Sequence, residues 1–99
     1  MVEICILEYV VDSILTYSKS MHPREAILLL KGKMDILDMH ILGTVHSHPS
    51  GALVPSLTDL NMLYGGLMII CSYPYSGMDC MKAYDAKGRE IPLRICKSV

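Results

Sequence analysis

The chain contains no tryptophan and no phenylalanine; its six aromatic residues are all tyrosine. Its interior must be built from Ile, Leu, Val and eight Met, and Met is a flexible filler that specifies packing less sharply than branched side chains. An excess of charge is also missing. Nine Lys plus Arg stand against ten Asp plus Glu, spread without a run of one sign. No broad phosphate-neutralising surface results, so nucleic acid is not expected as a partner. No apolar run approaches the ~18 to 20 residues that span a bilayer, so no membrane role is expected. Cys5, Cys71, Cys80 and Cys96 lack the two-residue spacing of zinc knuckles and redox pairs, which argues against a four-thiolate zinc site. The apolar start is interrupted by Glu3, Glu8 and Asp12 and follows no basic segment, so it does not read as a secretory signal. The expected setting is cytoplasmic, with thiols mostly reduced.

What remains is a 99-residue chain, 52% hydrophobic, read as one domain over 1–99. A chain of this size buries roughly 60 to 68% of its unfolded surface, enough for one core with little stability to spare. Leu7, Val10, Val11, Ile14 and Leu15 follow helical spacing and predict a helix over 7–20, ended by His22-Pro23. Ala26 to Leu30, closed by Lys31-Gly32, reads as a buried strand. Met39 to Val45 predicts a second strand that delivers His46 and His48 at its end, followed by a loop over 50–55. Ser56 looks like the N-cap of a second helix, with Leu57, Leu60, Leu63 and Tyr64 as its apolar side and Gly65-Gly66 as its stop. Leu67 to Cys71 predicts a third strand. Met78 to Tyr84 and Glu90 to Ile95 flank the turn signal Asp85-Ala86-Lys87-Gly88 and predict a closing antiparallel hairpin. Alternating helices and strands place the chain in the α/β class.

The chemistry concentrates in His46-Ser47-His48 and Asp59. Two histidines separated by one residue of extended chain project to the same side, so both imidazoles can reach one ion. Asp59, eleven residues after His48, lies in the first turn of the predicted helix, where the loop can return its carboxylate to the strand end. Two imidazoles and one carboxylate suit Zn²⁺ and leave a fourth tetrahedral position for water, as in catalytic rather than closed structural sites. Zinc lowers the pKa of such a water toward ~7. Glu25, between the first helix and the first strand, is the leading candidate for general base and acid, and Ser56 could donate its hydroxyl to an oxyanion. Each residue also has a plain structural reading. His-x-His occurs as a surface or packing feature, Ser56-x-x-Asp59 is a natural capping arrangement, and Glu25 can be a solvated charge at a helix end. His22 and His40 fit no ligand spacing and read as surface or packing residues. Tyr73-Pro74-Tyr75 reads as a turn, and Cys71 and Cys80 as buried thiols.

Together, GTVHSHPSGALVPSLTDL resembles the JAMM (MPN+) metalloprotease signature: His-x-His-Pro, six residues, Ser, two residues, Asp. The upstream SMHPREAILLLKGK is similar to the family's segment carrying a catalytic glutamate, with Glu25 at that place, and SYPYSGMDCMKAYDAKGREIPL is similar to the closing strands of small archaeal members. The resemblance implies a cytidine-deaminase-like α/β fold, a curved mixed β-sheet flanked by helices. It implies one zinc per chain on His46, His48 and Asp59, with Glu25 as base and acid and Ser56 stabilising the tetrahedral intermediate. The implied activity is that of a zinc isopeptidase acting at the C-terminus of a ubiquitin-like modifier, similar to desampylation. The deaminase pattern of His-x-Glu with Pro-Cys-x-x-Cys is absent, which disfavours nucleobase deamination.

One departure from the family stands out. Only fifteen residues, Lys31 to Val45, separate the first apolar strand from His46, where family members usually place additional strands. The fold is therefore expected to be shortened, with an unpaired sheet edge that a second subunit could cover in a homodimer. Other readings are a catalytically inactive MPN-type binding or scaffold module, processing of a sulfur-carrier protein, and a role like that of bacterial RadC-type proteins, which share a similar His-x-His-Pro-Ser-Gly element. The near-neutral charge gives the last little support.

Overall fold

A computed structural model describes residues 3–33, 39–56, 59 and 66–97, without the side chains of 33 and 39–41. The described elements run β1 (Ile4–Leu7), α1 (Glu8–Met21), β2 (Ile27–Lys33), β3 (Met39–His48), β4 (Leu67–Ser72), a 3₁₀ turn (Met78–Cys80), β5 (Met81–Asp85), β6 (Glu90–Ile91) and β7 (Leu93–Cys96). Five strands form one mixed sheet in the order β2-β3-β4-β5-β6, with β3 and β4 parallel and the other pairs antiparallel. β1 and β7 form a separate parallel pair. This is the mixed α/β arrangement expected. Except for Asp59, which is helical, the predicted second helix lies outside the described residues.

Burial follows from the patterns. Val11, Ile14, Leu15 and Ser18 of α1 recur at helical spacing and are buried, as an amphipathic helix on a sheet requires. All six residues of β4 are buried, which is why Leu67 to Ser72 reads as a continuous apolar run rather than an alternation. Its odd-numbered residues Leu67, Ile69 and Cys71 join α1 and Val45 in the main core, whereas Met68 and Ile70 cluster with Tyr84 on the opposite face. Each fully buried aliphatic side chain contributes on the order of 1.5 to 3 kcal/mol. β3 and β4 approach closely at Gly43. A Cβ there would collide with the Leu67 carbonyl oxygen and stand 2.6 Å from its carbon.

The structure departs from sequence expectation in four places. β1 was not anticipated, because four residues leading directly into α1 look like its first turn. Met78–Cys80 is a 3₁₀ turn rather than strand. The closing hairpin is short: β6 leaves β5 after Ile91, since Pro92 has no N–H for a ladder, and β7 then pairs with β1 while Ile4 N–H donates to the Pro92 carbonyl at 2.9 Å. Across β1 and β7, Cys5 and Cys96 stand side by side with Cα atoms 5.7 Å apart, while Cys71 and Cys80 are free and buried. Finally, at the other end of the sheet, β2 is the outer strand among the described residues, and its Ile27 and Leu29 are exposed, so the strand expected to be buried over Ala26 to Leu30 is open to solvent on one face.

Candidate metal centre

β3 carries His46 and His48 on the sheet face opposite α1, because alternate residues of a strand share a face and Val45, which precedes His46, belongs to the α1-side core. His46 is held between Ile27 of β2 and Ile70 of β4 and is 2% exposed. After His48 the chain turns sharply: Gly51 N–H donates to the His48 carbonyl at 3.0 Å, and Gly51 has φ +86°. Tyr84 O–H donates to the Leu53 carbonyl, which ties the following loop to β5.

That loop ends in a reciprocal cap. Ser56 N–H donates to Asp59 Oδ2 at 2.8 Å, and Asp59 N–H donates to Ser56 Oγ at 3.0 Å. The plain structural reading of Ser56-x-x-Asp59 is therefore correct, and it is only half of the arrangement. Asp59 Oδ2 also lies 3.0 Å from His48 Nε2, and Asp59 Oδ1 lies 3.4 Å from His46 Nδ1. Burial pushes the Asp59 carboxyl up. The Ser56 N–H, the Ser56 hydroxyl and the two imidazoles outweigh burial and hold it below its ordinary value.

Glu25 enters from the connection between α1 and β2. Its Oε1 lies 3.4 Å from His46 Nδ1, while its side chain is 45% exposed. Glu25, His46 and Asp59 thus bring ligand atoms within 4.8 Å of one another, and His48 joins the group through Asp59. His48 Nδ1 sits 3.0 Å from the Ala52 carbonyl, which can only accept, so Nδ1 donates there while Nε2 faces Asp59 Oδ2.

A metal is tested here by spacing and by hydrogen-bond accounting. Donors at 2.0–2.1 Å from a tetrahedral zinc stand ~3.3 Å apart, close to the 3.0 to 3.4 Å separations of Asp59 from the two imidazoles. Both ring nitrogens of His46 are buried and lack a hydrogen-bond partner. The donor set fits a zinc ion. Of the other histidines, His22 is exposed and bonds Tyr75, and the side chain of His40 lies outside the described residues. Sequence reasoning missed Ala52, whose contribution is a carbonyl and leaves no side-chain signal. It also missed Ser47 and Tyr75, whose burial at 1% each contrasts with their polar groups.

Comparison with known proteins agrees with this picture. A family profile for prokaryotic homologues of the JAB domain matches residues 8–86. A protein of Haloferax volcanii called a probable metalloprotease is 44% identical over 52 residues, 52% of this chain but only 32% of that relative's length. A JAB1/MPN domain protein from Archaeoglobus fulgidus superposes with TM-score 0.85 at 34% identity, covering 95% of this chain and all of that one. A JAMM structure described as a metalloprotease-like zinc site in the proteasome and signalosome gives TM-score 0.82 at 36% identity, over 98% of this chain and all of its own. A protein from Desulfitobacterium hafniense shares the fold at 18% identity, with TM-score 0.77 over 100% of this chain and 95% of its own. With sequence and fold in accord, this chain belongs to the JAB/MPN domain family, among its prokaryotic homologues.

Proposed function

We propose that the protein is a zinc-dependent isopeptidase that hydrolyses the bond between the C-terminal carboxylate of a ubiquitin-like modifier and an amine. The observation that carries this reading is His46, a buried imidazole whose ring nitrogens lack hydrogen-bond partners and whose Nδ1 lies 3.4 Å from a carboxylate oxygen of Glu25 and of Asp59. An unsatisfied buried polar group costs ~1 to 3 kcal/mol, and a cation shared with these donors removes that cost. In this reading His46, His48 and Asp59 hold one zinc per chain. When bound, zinc supplies a Lewis acid and a water acidic enough to attack at neutral pH.

The other roles belong to the chain's own side chains. Asp59, held below its ordinary carboxyl pKa, stays anionic through the neutral range and provides the negative charge that a cation needs. Glu25 is near enough to His46 to take a proton beside the metal and exposed enough to pass it to the leaving amine. The Ser56 hydroxyl, on an exposed residue at the rim, donates to the oxyanion. The probable metalloprotease among the relatives supports the hydrolase class. A cytidine-deaminase-like sheet, one domain over 1–99 and a cytoplasmic setting belong to the same reading; no helix among the described residues is long and apolar enough to cross a membrane.

The test is incubation of zinc-loaded protein with a panel of ubiquitin-like fusions and conjugates, with Glu25→Ala as control. Cleavage by the parent and none by a variant that still binds one zinc is the expected result. Full cleavage by Glu25→Ala overturns the assigned mechanism, and failure of the parent to bind zinc overturns the reading.

A further inference from the structure

Glu25 sits in a short connection, His22 to Ala26, with its side chain 45% exposed. Something must aim it at His46. On its C-terminal side, Ala26 is clamped to Ser47: Ser47 N–H donates to the Ala26 carbonyl at 2.9 Å, and Ala26 N–H donates to Ser47 Oγ at 2.6 Å. Ser47 is the residue between His46 and His48, so its side chain points to the opposite face of the sheet, where it is 1% exposed. Burial pushes the Tyr75 phenol up, and the Ser47 hydroxyl acts against that push.

Tyr75 closes the circuit on the N-terminal side. Its hydroxyl lies 2.9 Å from His22 Nδ1. Its ring is 1% exposed, within the main core, and its backbone has φ +60°, a left-handed conformation rare for an aromatic residue. Tyr73 stacks on His22 with centroids 4.7 Å apart and ring planes 23° apart, and packs edge-on against Tyr75 at 5.9 Å. Two hydrogen bonds thus hold the connection at its ends: Ala26 N–H donates to Ser47 Oγ, and the Tyr75 hydroxyl and His22 Nδ1 share one bond.

We propose that His22 and Tyr75 are positioning residues for Glu25: together with the Ser47 clamp on Ala26, their hydrogen bond braces both ends of the His22–Ala26 connection beside the strand that carries His46 and His48. The brace lies behind the sheet and touches neither substrate nor the reacting atoms. It rests on the isopeptidase reading for its catalytic consequence, but not for its geometry.

The experiment combines Tyr75→Phe, which keeps the ring and removes one hydroxyl, with His22→Ala and the double variant. Tyr75→Phe is expected to lower kcat about 10-fold while KM changes less than twofold and zinc stoichiometry stays at one. The double variant is expected to lose no more than the larger single loss, because both substitutions remove the same hydrogen bond. Two readouts need no substrate. Nitrogen NMR should show a hydrogen-bonded His22 Nδ1 that loses this signature in Tyr75→Phe, and amide exchange at Ala26 should accelerate at least several-fold. Additive losses in the double variant, or unchanged Ala26 exchange in Tyr75→Phe, overturn the proposal. If the parent cleaves nothing while the NMR and exchange changes appear, the brace stands and the isopeptidase reading fails instead.

Discussion

Asp59 and Asp85 are built alike and used differently. Each carboxylate organises a turn from within. Asp85 Oδ1 accepts from the N–H groups of Lys87 and Arg89 at 2.9 Å each, and its Oδ2 accepts from Arg89 Nε at 2.9 Å. Asp59 accepts from Ser56 N–H and is capped in return by Ser56 Oγ. Both are held below the ordinary carboxyl pKa. For Asp85 the Arg89 N–H is the main cause, followed by the opposing effect of burial; for Asp59 burial is the largest effect and is outweighed by Ser56 and the imidazoles. The difference lies in what faces the remaining oxygen lone pairs. Asp85 spends its acceptors on residues two and four places along, whereas Asp59 aims both oxygens at imidazoles from another strand. Local pattern alone builds a turn; the same pattern placed beside β3 offers a metal site.

The sharpest way to break the comparison is Asp59→Ala. Its zinc affinity should fall by more than the ~10- to 100-fold typical of outer-shell losses, with a stability loss of about 1 to 3 kcal/mol from the broken cap and exposed imidazole pair. Competition with a chelator and a thermal melt measure the two. Zinc retained at parental affinity would reduce Asp59 to a cap, equivalent to Asp85. Ser56→Ala comes next, with about 1 kcal/mol lost from the cap and, in the proposed reaction, about 100-fold in kcat with zinc still bound. Loss of stability without loss of kcat would leave Ser56 as a cap only.

Acid titration sharpens the same contrast. Each of these carboxyls has a folded pKa below its ordinary value of 3.8, so each contributes stability that is present above about pH 3.8 and lost as pH falls through the lower folded value. The urea midpoint followed from pH 6 to pH 2 should flatten in Asp59→Asn more than in Asp85→Asn, because Asp85 lies at the surface, where solvent screens its partners. The smallest effect belongs to Asp85→Ala: a slight fall in melting temperature, with zinc uptake and cleavage unchanged. A large loss of zinc in that variant would mean that the hairpin communicates with the site.

The contrast also explains what could be read from the sequence. Val11, Ile14 and Leu15 announced α1, and the continuous apolar run of β4 announced a buried strand, because each signal is local. His46, His48 and Asp59 stood out through fixed spacing and Glu25 through its place in a family-like segment, and the structure brings them to one end of the sheet. The β1–β7 pairing stayed hidden, since it joins residues about ninety positions apart, as at Cys5 and Cys96, 91 positions apart. Tyr75 stayed hidden for a similar reason. Tyr73-Pro74-Tyr75 does turn the chain, but nothing nearby in sequence shows that its last hydroxyl meets His22, 53 residues away.

Gly43 has a consequence for recognising relatives. Because a Cβ at that position would occupy the space of the Leu67 main chain, no side-chain rotamer relieves the clash, and only movement of β3 from β4 would. The steric rule therefore lengthens the useful search pattern from His-x-His-Pro to Gly-x-x-His-x-His-Pro, adding a position chosen by backbone volume rather than by chemistry. A sequence that satisfies the ligand positions but carries a branched residue at the first one is forecast to space these strands differently, and so to present its histidines in another frame.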